Sequence, residues 1–192
     1  MNRTTQLARA ISWIGHPLVF VMVSVGIVTM TQLASAAAWP ILVTLFLSVI
    51  APTAVLLIIG VRSGHWQDAD VSVREERKRF YPWAIPISAV GVVATWLTRA
   101  PSFVLRGGLV TLGLFVIAAI ANSRIKISLH TLFASYCTVI LFRIGIVCGV
   151  VALLLGGLVF WSRLFLGRHT VAETLAGVGV GIAGGILAAW WP

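Results

Sequence analysis

The chain has 192 residues, 59% of them hydrophobic and only 10% charged, with a mean hydropathy of +1.03. That composition excludes a soluble globular domain, and long apolar runs without period-two alternation exclude a membrane β-barrel. A net charge of +9 would suggest a nucleic-acid ligand in a soluble chain, but here the basic residues flank apolar segments, where they meet lipid head groups, and no nucleic-acid partner is expected. The expected fold is all-α: a polytopic membrane helical bundle of about six to seven transmembrane helices, forming one integral-membrane domain over residues 1–192. Cys137 and Cys148 fall in apolar segments and read as small buried hydrophobes, not as a disulfide or metal site.

In chain order, a short basic start leads into a first span at about Ile11–Met30, long enough to be retained; its His16-Pro17 pair reads as a local kink near the membrane edge. A second span is expected at about Pro40–Val61, with Trp39 at the interface. The segment from Arg62 to Pro82 is polar and holds four of the five acids; within it Arg74, Arg77 and Lys78 have helical spacing and would form one cationic face. Two shorter apolar segments, Trp83–Leu97 and Phe103–Ala121, join through a tight turn at residues 98–102. A second polar strip, Asn122–His130, precedes apolar segments Thr131–Phe142 and Ile144–Phe160, which reach span length when extended through Arg124 and Arg163. A last span, about His169–Trp190, would end in an interfacial Trp190-Trp191 anchor. Counting hairpins puts the polar segments 62–82, 122–130 and 161–173 on one side of the membrane, where they can converge.

The third polar segment is the most informative. Trp161–Gly177 reads WSRLFLGRHTVAETLAG, and Glu173 is the only acid after Glu76. His169 and Glu173 are four apart and would share a helix face with Gly177, Gly181 and Gly185, a small-residue stripe that lets membrane helices approach closely. The pair therefore points into protein, and ionisable residues inside a membrane are functional by default. A carboxylate-held histidine can act as a nucleophile, a second histidine can protonate a leaving oxygen, and arginines match phosphate with paired donors. With no metal-ligand spacing and no Gly-rich phosphate loop, these residues suggest phosphoryl transfer at a membrane surface without metal or cofactor.

Ser162-Arg163, five residues, His169, three residues, Glu173 resembles the third motif of the type-2 phosphatidic acid phosphatase superfamily, which ends in aspartate. Ile127-Ser128-Leu129-His130 resembles its second motif, Pro-Ser-Gly-His, and Arg74, six residues, Tyr81-Pro82 loosely echoes its first, Lys, six residues, Arg-Pro. The resemblance implies that His169 attacks phosphorus to give a phosphohistidine, that Glu173 orients it, and that His130 protonates the leaving group. It also implies phosphate contacts from Arg163, Ser128, the Leu129 amide and Arg74, with Arg77 and Lys126 as further candidates. The departures are glutamate for aspartate, Leu129 for glycine, Ile127 for proline, and Tyr81 for arginine.

The expected function is hydrolysis of a lipid phosphomonoester or diphosphate: phosphatidic acid, phosphatidylglycerol phosphate, or a polyprenyl phosphate or diphosphate. The alternatives are a phosphotransferase of the same fold and a non-catalytic lipid-binding or transport relative. The expected setting is a bacterial or archaeal cytoplasmic membrane. The motif side carries 11 of the 14 lysines and arginines, the other side only Arg99, Arg106 and Arg143, so the charge count favours a cytoplasmic site.

Overall fold

The structure is a computed structural model that describes residues 2–190, the Trp190 side chain excepted; the expected Trp190-Trp191 anchor lies outside the described residues. Every regular element among them is helical: α1 (Arg3–Ile14), α2 (Pro17–Gln32), α3 (Ser35–Arg62), α4 (Arg74–Leu97), α5 (Ser102–Ala121), α6 (Leu129–Ile144), α7 (Ile146–Phe165) and α8 (Val171–Trp190). Five of these, α3, α4, α5, α7 and α8, are long and apolar enough to cross a membrane, and α1 with α2 makes a sixth span if the pair counts as one.

Several boundaries differ from the sequence expectation for identifiable reasons. The kink at His16-Pro17 is a full break: α1 ends in Gly15, α2 starts with proline at its first position, and the two helices differ in direction by 50°. In α3 the turn Phe46–Ile50 is π-helical, directly before Pro52, whose ring would otherwise crowd the Ser48 carbonyl. Helix α4 starts at Arg74, nine residues before the expected Trp83, and carries Pro82 and Pro86 internally. Glu75 and Glu76 in its first turn complement the helix dipole, so the charged run forms helix, as the spacing of Arg74, Arg77 and Lys78 suggests. Helix α6 starts at Leu129, not at Arg124, because Ser128 caps it. At 16 residues it is short for a span.

The contacts group the chain into two compact units: one from residues up to Val28 and from Ile125 onward, the other Thr29–Arg124. In the first, α6 packs along both α7 and α8, and α1 packs on α7. The sequence requires these close approaches. A Cβ on Gly177 would sit 2.6 Å from the Ser128 carbonyl oxygen, one on Gly181 2.2 Å from that of Leu132, and one on Gly185 2.9 Å from that of Tyr136. The glycine stripe of α8 is thus filled by the backbone of α6, as small-residue membrane interfaces are. In the second unit α4 packs on α5, and Gly91 of α4 admits the Val49 side chain of α3.

Candidate active site

Two capping motifs placed end to end build the centre of the first unit. Helix α7 closes with Gly167 in the left-handed conformation (φ +64°). The Gly167 amide donates to the Leu164 carbonyl and the Arg168 amide to the Arg163 carbonyl, the paired bonds of a Schellman ending. Helix α8 then opens with a capping box. The Thr170 amide donates to Glu173 Oε2 at 3.0 Å, and the Glu173 amide donates to Thr170 Oγ1 at 3.3 Å. His169 is the one residue left between the two motifs. The spacing Ser-Arg, five, His, three, Glu therefore has a local physical origin: a last helical turn, a glycine stop, a linker histidine, a cap, and the acid of the capping box.

His169 consequently lies before the helix, not on it, which corrects the expectation that it shares a helix face with Glu173. The contact forms all the same: His169 Nδ1 donates to Glu173 Oε2 at 3.1 Å. The His169 side chain is wholly buried, while that of Glu173 keeps 18% of its exposure. Because a carboxylate only accepts, Nδ1 carries a proton, and in the neutral ring Nε2 then holds the lone pair. The longer glutamate is accommodated because a single oxygen serves both the histidine and the Thr170 amide.

The second motif docks onto this turn. Ser128 caps α6, its Oγ accepting from the Thr131 amide at 3.5 Å. Its own amide donates to the Glu173 carbonyl at 3.1 Å, and Thr131 Oγ1 donates to the Thr174 carbonyl at 3.0 Å. The Leu129 amide belongs to the first turn of α6, where the helix supplies no acceptor. Ser128 and His130 are buried. Lys126 Nζ donates to the Arg168 carbonyl at 2.8 Å, fastening the strip to the α7–α8 turn. Arg163 is fully buried on the last turn of α7, with Nη1 donating to Ser12 Oγ at 2.7 Å, while Ser162 Oγ donates to the Ala8 carbonyl at 2.8 Å.

One unit thus holds His169, Glu173, His130, Ser128, Leu129, Arg163 and Lys126. Arg74 and Arg77 belong to the other, where their guanidinium groups serve backbone carbonyls. Arg74 Nε donates to the Asn122 carbonyl at 2.7 Å and Nη2 to that of Ser123, while Asn122 Nδ2 donates to the Arg74 carbonyl at 3.1 Å. Arg77 is buried and its Nε donates to the Val71 carbonyl at 3.0 Å. Lys78 instead points outward and pairs with exposed Glu75 at 2.7 Å. The expected single cationic face of Arg74, Arg77 and Lys78 is therefore divided, because Arg77 is needed to hold the turn at Val71, whose φ is +46°.

Ser12, Thr170 and His16 carry contacts that spacing alone did not single out. Thr170 is legible in the four-residue spelling Thr-Val-Ala-Glu, whereas Ser12 meets a partner 151 residues away. Among the described residues no three His, Cys, Asp or Glu side chains group as a metal centre requires. Comparison with protein families, with curated proteins and with solved structures gives no match.

Proposed function

We propose that the chain is a membrane-embedded lipid phosphatase that works through a phosphohistidine on His169. The observation that carries this reading is the buried His169 Nδ1 to Glu173 Oε2 bond, which leaves Nε2 as the nucleophilic nitrogen. Nε2 attacks phosphorus in line; the N–P bond forms as the P–O bond to the lipid breaks, and His130 gives its proton to the departing oxygen. Arg163 and the Leu129 amide, at the positive end of α6, favour the charge on the transferring phosphoryl group. Water then attacks phosphorus while His130 takes its proton; the N–P bond breaks, its electron pair returns to His169 Nε2, and phosphate leaves. The substrate class is an amphiphile with a terminal phosphate, since apolar helices admit a lipid tail from the side. The Ser128–Glu173 and Lys126–Arg168 bonds support the reading by tying the two histidine segments together.

The test is phosphate release by purified protein in detergent with EDTA. The panel is phosphatidic acid, phosphatidylglycerol phosphate, and a polyprenyl phosphate and diphosphate, each against His169→Ala. Release that needs His169, with an acid-labile phosphoenzyme on rapid quenching, is expected. Release that persists in His169→Ala, or none from a folded wild-type protein, would overturn the proposal; release only when an acceptor alcohol is added would reassign it to phosphotransfer.

A further inference from the structure

The geometry points to His16 as a positioning residue for His130, delivered to the site by the break between α1 and α2; this rests on the role proposed above for His130 as proton donor. His16 is buried, and its ring meets that of His130 edge to face, with centroids 5.4 Å apart and planes at 84°. Two further contacts hold the ring, and the backbone beside it is closely packed. Its Nδ1 accepts from the Leu18 amide at 3.3 Å, so His16 caps α2 from the position just before Pro17. Trp13 stacks along it with planes at 25°. Gly15 beside it lies so close to α7 that a Cβ there would stand 2.1 Å from Val159 Cγ2.

An accepting Nδ1 has a chemical consequence. The neutral imidazole must carry its proton on Nε2, and protonating Nδ1 would turn it into a second donor facing the Leu18 amide. Edge-to-face packing also fixes the His130 ring plane, and proton transfer depends on that alignment. The same end of α1 supplies Ser12 to Arg163, so the N-terminal helix supports two members of the site through independent contacts.

General-acid help matters for a poor leaving group and hardly at all for a good one. The test compares kcat on dioctanoyl phosphatidic acid, an alkyl phosphate, with kcat on p-nitrophenyl phosphate. His16→Asn keeps a capping side chain but removes the ring; His16→Phe keeps a ring but removes the cap. We expect His16→Asn to lose about ten-fold in kcat on the alkyl phosphate at unchanged KM, a fraction of what general acids contribute, and less than about two-fold on the aryl phosphate. His16→Phe recovers part of the alkyl loss. Full activity of His16→Asn on both substrates, or equal loss on both, would show that His16 only caps the helix. Should the wild type cleave neither substrate, the phosphatase reading fails, and 15N ring shifts of His130 decide the positioning claim separately. A changed tautomer ratio at His130 in His16→Asn sustains it; unchanged shifts sink it.

Discussion

Replacing Gly181 with alanine tests whether the contact between α6 and α8 sets the geometry of the candidate site. The new Cβ would lie 2.2 Å from the Leu132 carbonyl oxygen and 3.0 Å from Ser135 Cβ. The nearest obstacle is backbone, so no rotamer change relieves it, and the helices must part by about 1 Å to restore ordinary contact. Overpacking of this kind costs about 1–3 kcal/mol of stability. Helix α6 carries Ser128, Leu129 and His130 at its start, while α8 carries Glu173 and is capped beside His169, so the displacement separates the two halves of the proposed machinery. A misplacement of about 1 Å is worth roughly 100-fold in rate. The control is Gly179→Ala, where an added Cβ meets nothing within 4 Å. Both variants would be assayed by thermal unfolding in detergent and by phosphate release. We expect Gly181→Ala to unfold at lower temperature and lose about 100-fold in kcat, with Gly179→Ala unchanged. If the two variants behave alike in unfolding, close packing at the stripe does not hold the helices. If Gly181→Ala is destabilised yet fully active, the site does not depend on their register.

Glu173→Gln retains an amide oxygen for the Thr170 N–H but loses the charge that favours a positive His169. Its unfolding temperature should stay close to wild type while kcat falls by about 100-fold or more; Thr170→Ala should show the reverse, losing about 1 kcal/mol of stability with a smaller effect on rate. Gly167→Ala forces a side chain into the left-handed conformation at φ +64°, at a cost of about 1–2 kcal/mol read by denaturant or thermal unfolding. For sidedness, Gln67→Cys offers an exposed thiol in a variant that keeps the backbone bond from residue 67 to Glu76. The charge distribution predicts no labelling by an impermeant thiol reagent in intact cells and labelling in inverted vesicles, with Cys137 and Cys148 shielded in apolar helices.

How legible the molecule was depended on whether each feature was local. The glycine stripe at 177, 181 and 185 could be read because its spacing is that of one helix face, and the turn at 98–102 because its residues cannot continue a helix through Pro101. The start of α4 was legible only in part: the spacing of Arg74, Arg77 and Lys78 is helical, but hydropathy, which marks where a segment enters lipid and not where hydrogen bonding begins, sets no first residue. Arg74 to Arg79 is polar and still helical. The roles of Ser12 and His16 depend on contacts with Arg163 and His130, more than a hundred residues away, and nothing in their neighbours announces them.

The register of His169 is the most instructive difference, because two rules competed for the same residues. Spacing of four between His169 and Glu173 fits a helix face, and that rule alone starts the helix at His169. The Thr170 to Glu173 signature starts it one cap later, and the cap wins because it satisfies two orphan amides that the other arrangement would leave unpaired. The outcome changes the chemistry available. On a helix, His169 would have its backbone committed and its ring directed along the side of α8. Between two caps, the ring is directed toward Glu173, with the glycine turn and the capping box fixing the backbone on either side. A glutamate suits this position because its length lets one carboxylate oxygen reach both the cap amide and the ring. Aspartate at 173 would have to give up one of the two. Glu173→Asp should therefore either destabilise the start of α8 or loosen His169, and unfolding and kcat measured together will show which bond the shorter acid keeps.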